Sequence, residues 1–117
     1  MRVGQSGHII NVGSIAGYEA YPYGSVYCAT KHAVVAITKA TRMELVDTPI
    51  RVTSISPGLV ETEFSVVRFS GDSDRAASVY KGLEPLTGDD VAETVVFSAS
   101  RPPHVQVAGS CTVLRCA

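Results

Sequence analysis

The sequence predicts an α/β fold with a mostly parallel sheet and flanking helices. Residues 8–12 form an apolar run that is nearly continuous rather than alternating, which is typical of a parallel strand covered on both faces. Residues 50–56 are rich in β-branched side chains, which favours a second strand. The pattern of segment 25–46 between them predicts a helix. A strand, a helix and a strand with tight connections predict a βαβ unit with parallel strands.

The first strand should end at Gly13 and Ser14, where small residues interrupt the apolar run. Ser14 is therefore expected at the carboxyl end of a strand, and in open parallel sheets this edge is where ligands bind. Residues 18–24 contain Pro22 and Gly24, which predict a loop between the strand and the long helix.

The long helix is expected to have Ser25 as its N-cap and to run to about Val46. The sequence Asp47-Thr48-Pro49 should stop it, because Pro disfavours helical backbone in the residue before it. Apolar side chains cover more of this helix than one sheet-facing stripe needs, so we expect a second cover from another helix, which could belong to another subunit. One stripe is small (Ala29, Ala33, Ala36, Ala40) and the adjoining stripes are bulkier (Val26, Val34, Ile37, Leu45).

The segment after the second strand predicts short elements at the same edge of the sheet. Pro57 and Gly58 should end the second strand, again at its carboxyl end. Residues 59–82 mix apolar and polar side chains, and they predict one or two short helices with a mobile turn near Gly71. We expect this segment to cover a site.

A last helix and strand are expected towards the carboxyl terminus. Residues 87–90, Thr-Gly-Asp-Asp, are a helix start signal that precedes an apolar run. Arg101-Pro102-Pro103 should end this helix, and residues 104–117 are expected to contain a final strand that Gly109 and Ser110 interrupt. The apolar residues expected on one face of the helix are Val91, Ala92, Val95, Val96 and Ala99.

The composition argues against several functional classes. The 117 residues suffice for one domain, and 10 basic against 11 acidic residues with no basic stripe argue against nucleic-acid binding. No apolar run approaches the ~18 residues of a membrane span, and no secretory signal is evident. The three Cys, at positions 28, 111 and 116, form neither a disulfide framework nor a zinc-type cluster. We therefore expect reduced thiols, a cytoplasmic location and no metal site.

Tyr27 and Lys31 form a chemically suggestive pair. They are four residues apart on the long helix, so both project from one face. The ammonium charge of Lys31 favours the phenolate form of Tyr27, and such a phenol can exchange a proton with a substrate oxygen. The pair alone is also compatible with a surface Tyr packed on a Lys stem. The neighbouring motifs favour the chemical interpretation, because Ser14, this pair and Pro57-Gly58 with Thr62 should meet at one sheet edge.

At these residues the sequence closely resembles the short-chain dehydrogenase/reductase family. The matching motifs are Ile10-Asn11-Val12-Gly13-Ser14-Ile15-Ala16-Gly17, then Tyr27-x-x-x-Lys31, then Ser56-Pro57-Gly58-x-x-x-Thr62. The resemblance implies a Rossmann-like three-layer fold and NAD(P)-dependent interconversion of a small alcohol and its carbonyl compound. Residues 60–69 also look like a subgroup that oxidises serine and related 3-hydroxy acids with NADP.

The resemblance also implies a role for each site residue. Tyr27 is then the general acid in carbonyl reduction and the base in alcohol oxidation, and Ser14 orients the substrate oxygen. Lys31 assists Tyr27 and binds the nicotinamide ribose, so both residues are also cofactor-binding. The residues expected against the nicotinamide side of the cofactor are Pro57, Gly58 and Thr62.

Several residues keep a second, structural interpretation. Ser14 could merely terminate a strand, and Thr62 could cap a helix. Asn11 is expected to satisfy backbone groups inside its strand, and Cys28 to be a small packed residue. The three His, at 8, 32 and 104, are expected to be structural, at an interface or solvated, whereas Tyr18, Tyr21 and Tyr23 could shape a substrate entrance or only pack their loop.

The sequence departs from the family in one respect. Family members carry a Gly-rich turn for the cofactor pyrophosphate ahead of this region, and no Gly-x-x-x-Gly-x-Gly occurs here. We therefore expect residues 1–117 to be the carboxyl-terminal part of one Rossmann-like NAD(P)-binding domain, without the N-terminal βαβ units. Such a sheet should expose a strand edge. The alternatives are a non-catalytic interaction module, in which the helices at 25–46 and 89–100 pair with a full-length relative, and a bare structural domain. We also expect the chain to form homo-oligomers through the 25–46 helix.

Overall fold

In the computed structural model, which describes residues 4–113, three parallel strands form one sheet in the order β1-β2-β3. These strands are β1 (Gly7–Val12), β2 (Ile50–Pro57) and β3 (Gly109–Thr112). β2 is the central strand, and its residues from Val52 onwards are buried. The predicted α/β fold with a parallel βαβ unit is confirmed.

Helices cover both faces of this sheet. The Asn11 side chain in β1 donates to Thr38 of the first helix, α1 (Ser25–Glu44). Arg51 in β2 donates to carbonyl groups at the end of a later helix, α4 (Gly88–Ala99). Asn11 is the register partner of Ser54, so these two side chains lie on the same face of the sheet. Side chains alternate along a strand, so Arg51 lies on the face opposite to Ser54. The two helices therefore lie on opposite faces, which gives the predicted three layers.

Helix α1 starts and ends slightly differently from the prediction. Its N-cap is Gly24, and no side chain caps it, so the prediction that Ser25 is the N-cap is wrong. The helix ends at Glu44 rather than near Val46, and Thr48 closes the following turn by donating to the carbonyl of Leu45. Both differences affect only the ends of α1.

One long face of α1 is open within the part of the chain described. The side towards the sheet buries Cys28, Val35 and Thr38. The stripe of small residues lies on the opposite side and is exposed, and so are neighbouring large side chains. The exposed fractions are 76% for Val26, 60% for Ile37 and 76% for Met43.

Residues 59–86 form a lobe beside the carboxyl edge of the sheet. An isolated parallel bridge between Val60 and Leu86 closes its base. The lobe contains two short helices, α2 (Phe64–Arg68) and α3 (Ser73–Ser78), as predicted. Gly71 between them has a φ of 89°, a left-handed conformation that suits glycine. The mobility of this turn stays a prediction.

Helix α4 begins with the predicted start signal. Thr87 accepts a hydrogen bond from the backbone N–H of Asp90, whose carboxylate in turn accepts from the backbone N–H of Thr87. The predicted apolar face is only partly correct. Val91, Val95 and the fully buried Ser98 turn inwards, whereas three residues expected on that face are exposed. These are Ala92, Val96 and Ala99.

The last strand is shorter than predicted and begins at the residues expected to interrupt it. Gly109 and Ser110 pair with Ser54 and Ile55 of β2. Leu114 and Cys116 lie outside the described residues, whereas Cys28 and Cys111 carry free thiols. Within residues 4–113, no helix has the length and apolar character needed to cross a membrane.

Candidate functional site

A cavity of about 430 Å³ lies at the carboxyl edge of the sheet. Its walls come from the turn after β1, the start of α1, the end of β2 and the lobe of residues 59–86. The size is that of a small-molecule pocket. Five predicted site residues line it, namely Ser14, Tyr27, Pro57, Gly58 and Thr62. The sixth, Lys31, does not line the cavity, although its Nζ lies close to the Tyr27 ring.

Ser14 both ends the strand and reaches the cavity. It is the N-cap of a 3-10 turn, Ile15–Gly17, and its Oγ accepts a hydrogen bond of 3.1 Å from the backbone N–H of Ala16. Only 9% of the residue is exposed. The bond to Ala16 occupies one lone pair of Oγ, so the hydroxyl keeps a donor for a ligand in the cavity.

Tyr27 stands in the first turns of α1, between a cation and an aromatic ring. The Lys31 Nζ lies 5.6 Å from the centroid of the Tyr27 ring, as the four-residue spacing predicts. On the side of the lobe, the ring of Phe64 lies 5.6 Å from that of Tyr27 at an angle of 46°. These contacts fix the phenol on the cavity wall with an ammonium charge beside it.

Pro57, Gly58 and Thr62 form the floor between the sheet and the lobe. The Gly58 N–H donates to the carbonyl of Thr112 at 2.7 Å, which ties this turn to the end of β3. The Thr62 hydroxyl accepts a 3.3 Å bond from the N–H of Phe64, just before α2 begins. Thr62 thus helps to organise the helix start, while its place in the cavity leaves a ligand contact open.

Most residues with a predicted structural role make structural contacts. Asn11 is structural, but it donates to the Thr38 side chain of α1 rather than to backbone groups of its strand as predicted, and Cys28 is buried. His32 Nδ1 lies 2.8 Å from the Cys28 carbonyl oxygen, whereas His104 is exposed. His8 Nε2 lies 2.7 Å from Thr53 Oγ1, and burial together with the positive charge of Arg51 lowers the pKa of His8.

Of the three loop tyrosines, only Tyr21 lines the cavity. Tyr18 and Tyr23 are exposed, and Tyr23 has a φ of 63°. The Tyr21 hydroxyl accepts a 3.3 Å hydrogen bond from Arg68 on the lobe. Tyr21 therefore joins the loop before α1 to the lobe across the cavity entrance.

The lobe lines one side of the cavity, as expected of a segment that covers a site, but most of its lining side chains were not among the predicted site residues. Phe64, Ser65, Arg68 and Tyr80 all line the cavity. The Tyr80 hydroxyl bonds Ser65 Oγ at 2.7 Å and the Val60 carbonyl at 3.1 Å. The available signal was a four-residue spacing that puts Phe64 and Arg68 on one side of a helical turn.

Comparison with known proteins places the chain among dehydrogenases. A family model described as short chain dehydrogenase matches residues 1–72. An NADP-dependent 3-hydroxy acid dehydrogenase of Schizosaccharomyces pombe is 56% identical over 102 residues, which are 87% of this chain and 39% of that protein. A sulfoacetaldehyde reductase of Chromohalobacter salexigens is 44% identical over 103 residues, 88% of this chain and 41% of the relative.

The structural neighbours agree with the sequence relatives. The closed form of a serine dehydrogenase complexed with NADP+ superposes with a TM-score of 0.88 at 44% identity. The match covers 90% of this chain and 43% of that one. The chain therefore spans about 40% of the length of the curated relatives it matches.

Proposed function

Because the chain belongs to the short-chain dehydrogenase family, we propose that it supplies the proton-transfer side of an NADP-dependent oxidoreductase. NAD is the alternative cofactor. The proposed reaction interconverts a small alcohol, in particular a 3-hydroxy acid, and its carbonyl compound. The observation that carries the proposal is the shared cavity, whose wall contains Ser14 and Tyr27, with the Lys31 ammonium 5.6 Å from the Tyr27 ring centroid. The names of the relatives support the choice of cofactor and substrate class.

In the proposed mechanism, the chain manages the substrate oxygen and its proton. During reduction Ser14 donates a hydrogen bond to the carbonyl oxygen, and Tyr27 donates its phenolic proton to that oxygen as negative charge develops. During oxidation the Tyr27 phenolate takes the hydroxyl proton back. Lys31 places its ammonium group 5.6 Å from the centroid of the reacting ring.

The nicotinamide end of the cofactor fits the residues present. The cavity wall contains Gly13, just after β1, with Pro57 and Gly58 at the end of β2. Such a wall admits a flat ring, and the Thr62 hydroxyl can bond its polar substituent. The cofactor supplies the hydride when bound. Pro57, Gly58 and Thr62 would hold the ring, while Tyr27 and Lys31 would hold the adjoining ribose.

We further propose that residues 1–117 form the carboxyl-terminal part of one Rossmann-like NAD(P)-binding domain. Two observations support this proposal. The chain spans about 40% of the length of its relatives, and among the described residues β1 is an edge strand of the sheet. A cytoplasmic location remains a prediction from the composition.

Turnover of a full-length chimera tests the function. In this chimera, residues 4–113 replace the matching segment of the Schizosaccharomyces pombe 3-hydroxy acid dehydrogenase. Tyr27→Phe keeps the ring contact with Phe64 and removes the proton, so we expect almost complete loss of turnover with NADPH binding retained. The control is Tyr23→Phe, a fully exposed tyrosine away from the cavity, which should leave turnover unchanged. Unchanged turnover in Tyr27→Phe would reject the role of Tyr27.

A second candidate function is that of a non-catalytic interaction module that pairs with a full-length relative through α1. The observation in its favour is the exposed apolar face that contains Val26, Ile37 and Met43. An exposed face of this kind marks an interaction surface. Co-expression with the full-length Schizosaccharomyces pombe relative, followed by size-exclusion chromatography, tests this function, and the absence of a mixed oligomer would remove it.

A further inference from the structure

Two charged side chains line the cavity, and they have opposite signs. Within residues 4–113, Arg68 is the only cation in the wall and Glu19 the only carboxylate. Lys31, whose Nζ lies 5.6 Å from the centroid of the Tyr27 ring, does not line the cavity. A negatively charged group on a bound molecule would therefore find its favourable partner on the side of Arg68.

Two aromatic rings and a hydroxyl orient the Arg68 side chain. Its guanidinium carbon lies 5.6 Å from the centroid of the Tyr21 ring and 5.7 Å from that of the Phe69 ring. One terminal nitrogen donates to the Tyr21 hydroxyl at 3.3 Å. A guanidinium has five N–H donors in a fixed plane, so this contact leaves several for a ligand. Rigid support of this kind reduces the entropy lost when an anion binds.

Arg68 also lies at a useful position relative to Tyr27. Phe64 and Arg68 are one turn apart in α2, and both line the cavity. Phe64 contacts the Tyr27 ring. Residues four apart in a helix have Cβ atoms about 5–6 Å from each other, so Arg68 leaves the wall next to the residue that contacts Tyr27.

We propose that Arg68 binds the carboxylate of the substrate and thereby selects 3-hydroxy acids over neutral alcohols. This inference rests on the proposed function, since it takes the reacting oxygen to lie at Ser14 and Tyr27. In a 3-hydroxy acid the carboxyl carbon is two bonds from the carbon that carries the hydroxyl. The acid group can therefore point along the wall towards Arg68 while the hydroxyl stays at Tyr27. A planar guanidinium matches a carboxylate through two parallel hydrogen bonds.

The test compares a charged substrate with a neutral one of similar shape. The chimera defined above is assayed with 3-hydroxypropanoate and with its methyl ester. For Arg68→Gln we expect KM for the acid to rise about 10- to 100-fold, with a much smaller change in kcat and little change for the ester. Arg68→Lys should recover part of the lost affinity because it keeps the charge.

The matched control is Arg75→Gln, because Arg75 also stacks on Phe69, at 4.4 Å, but does not line the cavity. It should leave both substrates unaffected. Equal effects of Arg68→Gln on acid and ester, or equal effects of the two arginine variants, would overturn the inference while leaving the proposed function intact. If the parent chimera oxidises neither compound, the proposed function fails.

Equilibrium binding provides a second readout that needs no turnover. Titration of the chimera and NADP+ with 3-hydroxypropanoate should give a Kd that Arg68→Gln raises about 10- to 100-fold. An unchanged Kd would overturn the role of Arg68. Titration with 2-hydroxyethanesulfonate distinguishes a carboxylate site from a general anion site, and equal affinity for both anions would overturn the carboxylate assignment.

Discussion

Gly17 lies directly against the carbonyl oxygen of Lys31, since a Cβ atom at Gly17 would stand 2.7 Å from that oxygen and 2.9 Å from Cγ2 of Val35. Real Cβ atoms are not found so close to backbone atoms. The missing side chain therefore lets the 3-10 turn that carries Ser14 pack on the helix that carries Tyr27. This approach brings two distant motifs of the sequence to one cavity.

Gly17→Ala should push the Ser14 turn away from α1. We expect the free energy of unfolding of the chimera to fall by about 1–3 kcal/mol, as for other overpacked sites, and turnover to fall because Ser14 moves relative to Tyr27. Urea denaturation and steady-state kinetics measure the two effects. Gly88→Ala is the control, because a Cβ there meets no atom within 4 Å. Equal behaviour of the two variants would contradict this packing argument.

The sequence predicted the parts of the site that follow from regular structure. Ser14 and Pro57-Gly58 lie where parallel strands end, and the spacing of Tyr27 and Lys31 is one helical turn, so general rules suffice for all of them. Arg68 and Tyr80 lie in the lobe, where the path of the chain depends on contacts such as the Val60–Leu86 bridge. A local pattern does not encode such contacts, so these two residues were missed.

Two of the wrong local predictions have clear physical causes. Gly24 rather than Ser25 caps α1 because the Gly24 carbonyl accepts the first helical hydrogen bond, from the Cys28 N–H at 2.8 Å. The ring of Tyr21 covers this position, where a Cβ would come within 2.2 Å of it. The inward face of α4 includes Ser98, whose hydroxyl donates to the carbonyl of Thr94 at 3.0 Å. A hydroxyl that bonds its own helix in this way can be buried at low cost, so apolar periodicity alone misplaced the face.

Tyr80→Phe should loosen the lobe and weaken substrate binding. The change removes the hydroxyl that joins Ser65 to the Val60 carbonyl and leaves Ser65 Oγ without this partner. In the chimera we expect faster proteolysis within residues 60–86 and a higher KM, with a smaller effect on kcat. Limited proteolysis and kinetics measure these changes. Tyr18→Phe, at an exposed tyrosine outside the cavity, should change neither the proteolysis rate nor KM. A Tyr80→Phe variant that behaved like Tyr18→Phe would contradict the role of the Tyr80 hydroxyl in holding the lobe together.

Charges on the open face of α1 should prevent self-association. Ile37→Lys with Met43→Lys places two charges on exposed apolar positions, so the folded chain loses little packing while an apolar interface becomes unfavourable. Light scattering after size-exclusion chromatography should report a smaller assembly than the parent chimera. Val67→Lys is the control, because Val67 is 74% exposed on α2, away from this face. An unchanged assembly in the double variant would exclude this interface.

The 117-residue chain by itself should be poorly soluble, oligomeric or only partly ordered. Among the described residues β1 is an edge strand with unpaired backbone groups, and α1 and α4 expose large apolar side chains. We expect a broad thermal transition and large particles. A monomer with a sharp, cooperative calorimetric transition would refute this expectation.

His8 should make stability depend on pH near neutrality. Thr53 Oγ1 donates its hydrogen to the Val107 carbonyl, so it accepts from His8 Nε2, and the other ring nitrogen, Nδ1, is buried without a partner within residues 4–113. Protonating Nδ1 would bury a positive charge beside Arg51, the cross-strand neighbour of His8. Burial is therefore the main cause that lowers the pKa of His8, and the positive charge of Arg51 is the second cause.

The sign of the effect follows from proton binding. In the unfolded chain His8 binds a proton below the ordinary His pKa of about 6.5, whereas in the folded chain it does so only at lower pH. The free energy of unfolding therefore falls as the pH drops through about 6.5. Urea denaturation of the chimera at about pH 7.5 and about pH 5.5 should show this loss. His8→Gln removes the titrating ring and should flatten the dependence, whereas His32→Gln, at an exposed site, should preserve it. A His8→Gln variant with the same pH dependence as the parent would show that other groups control it.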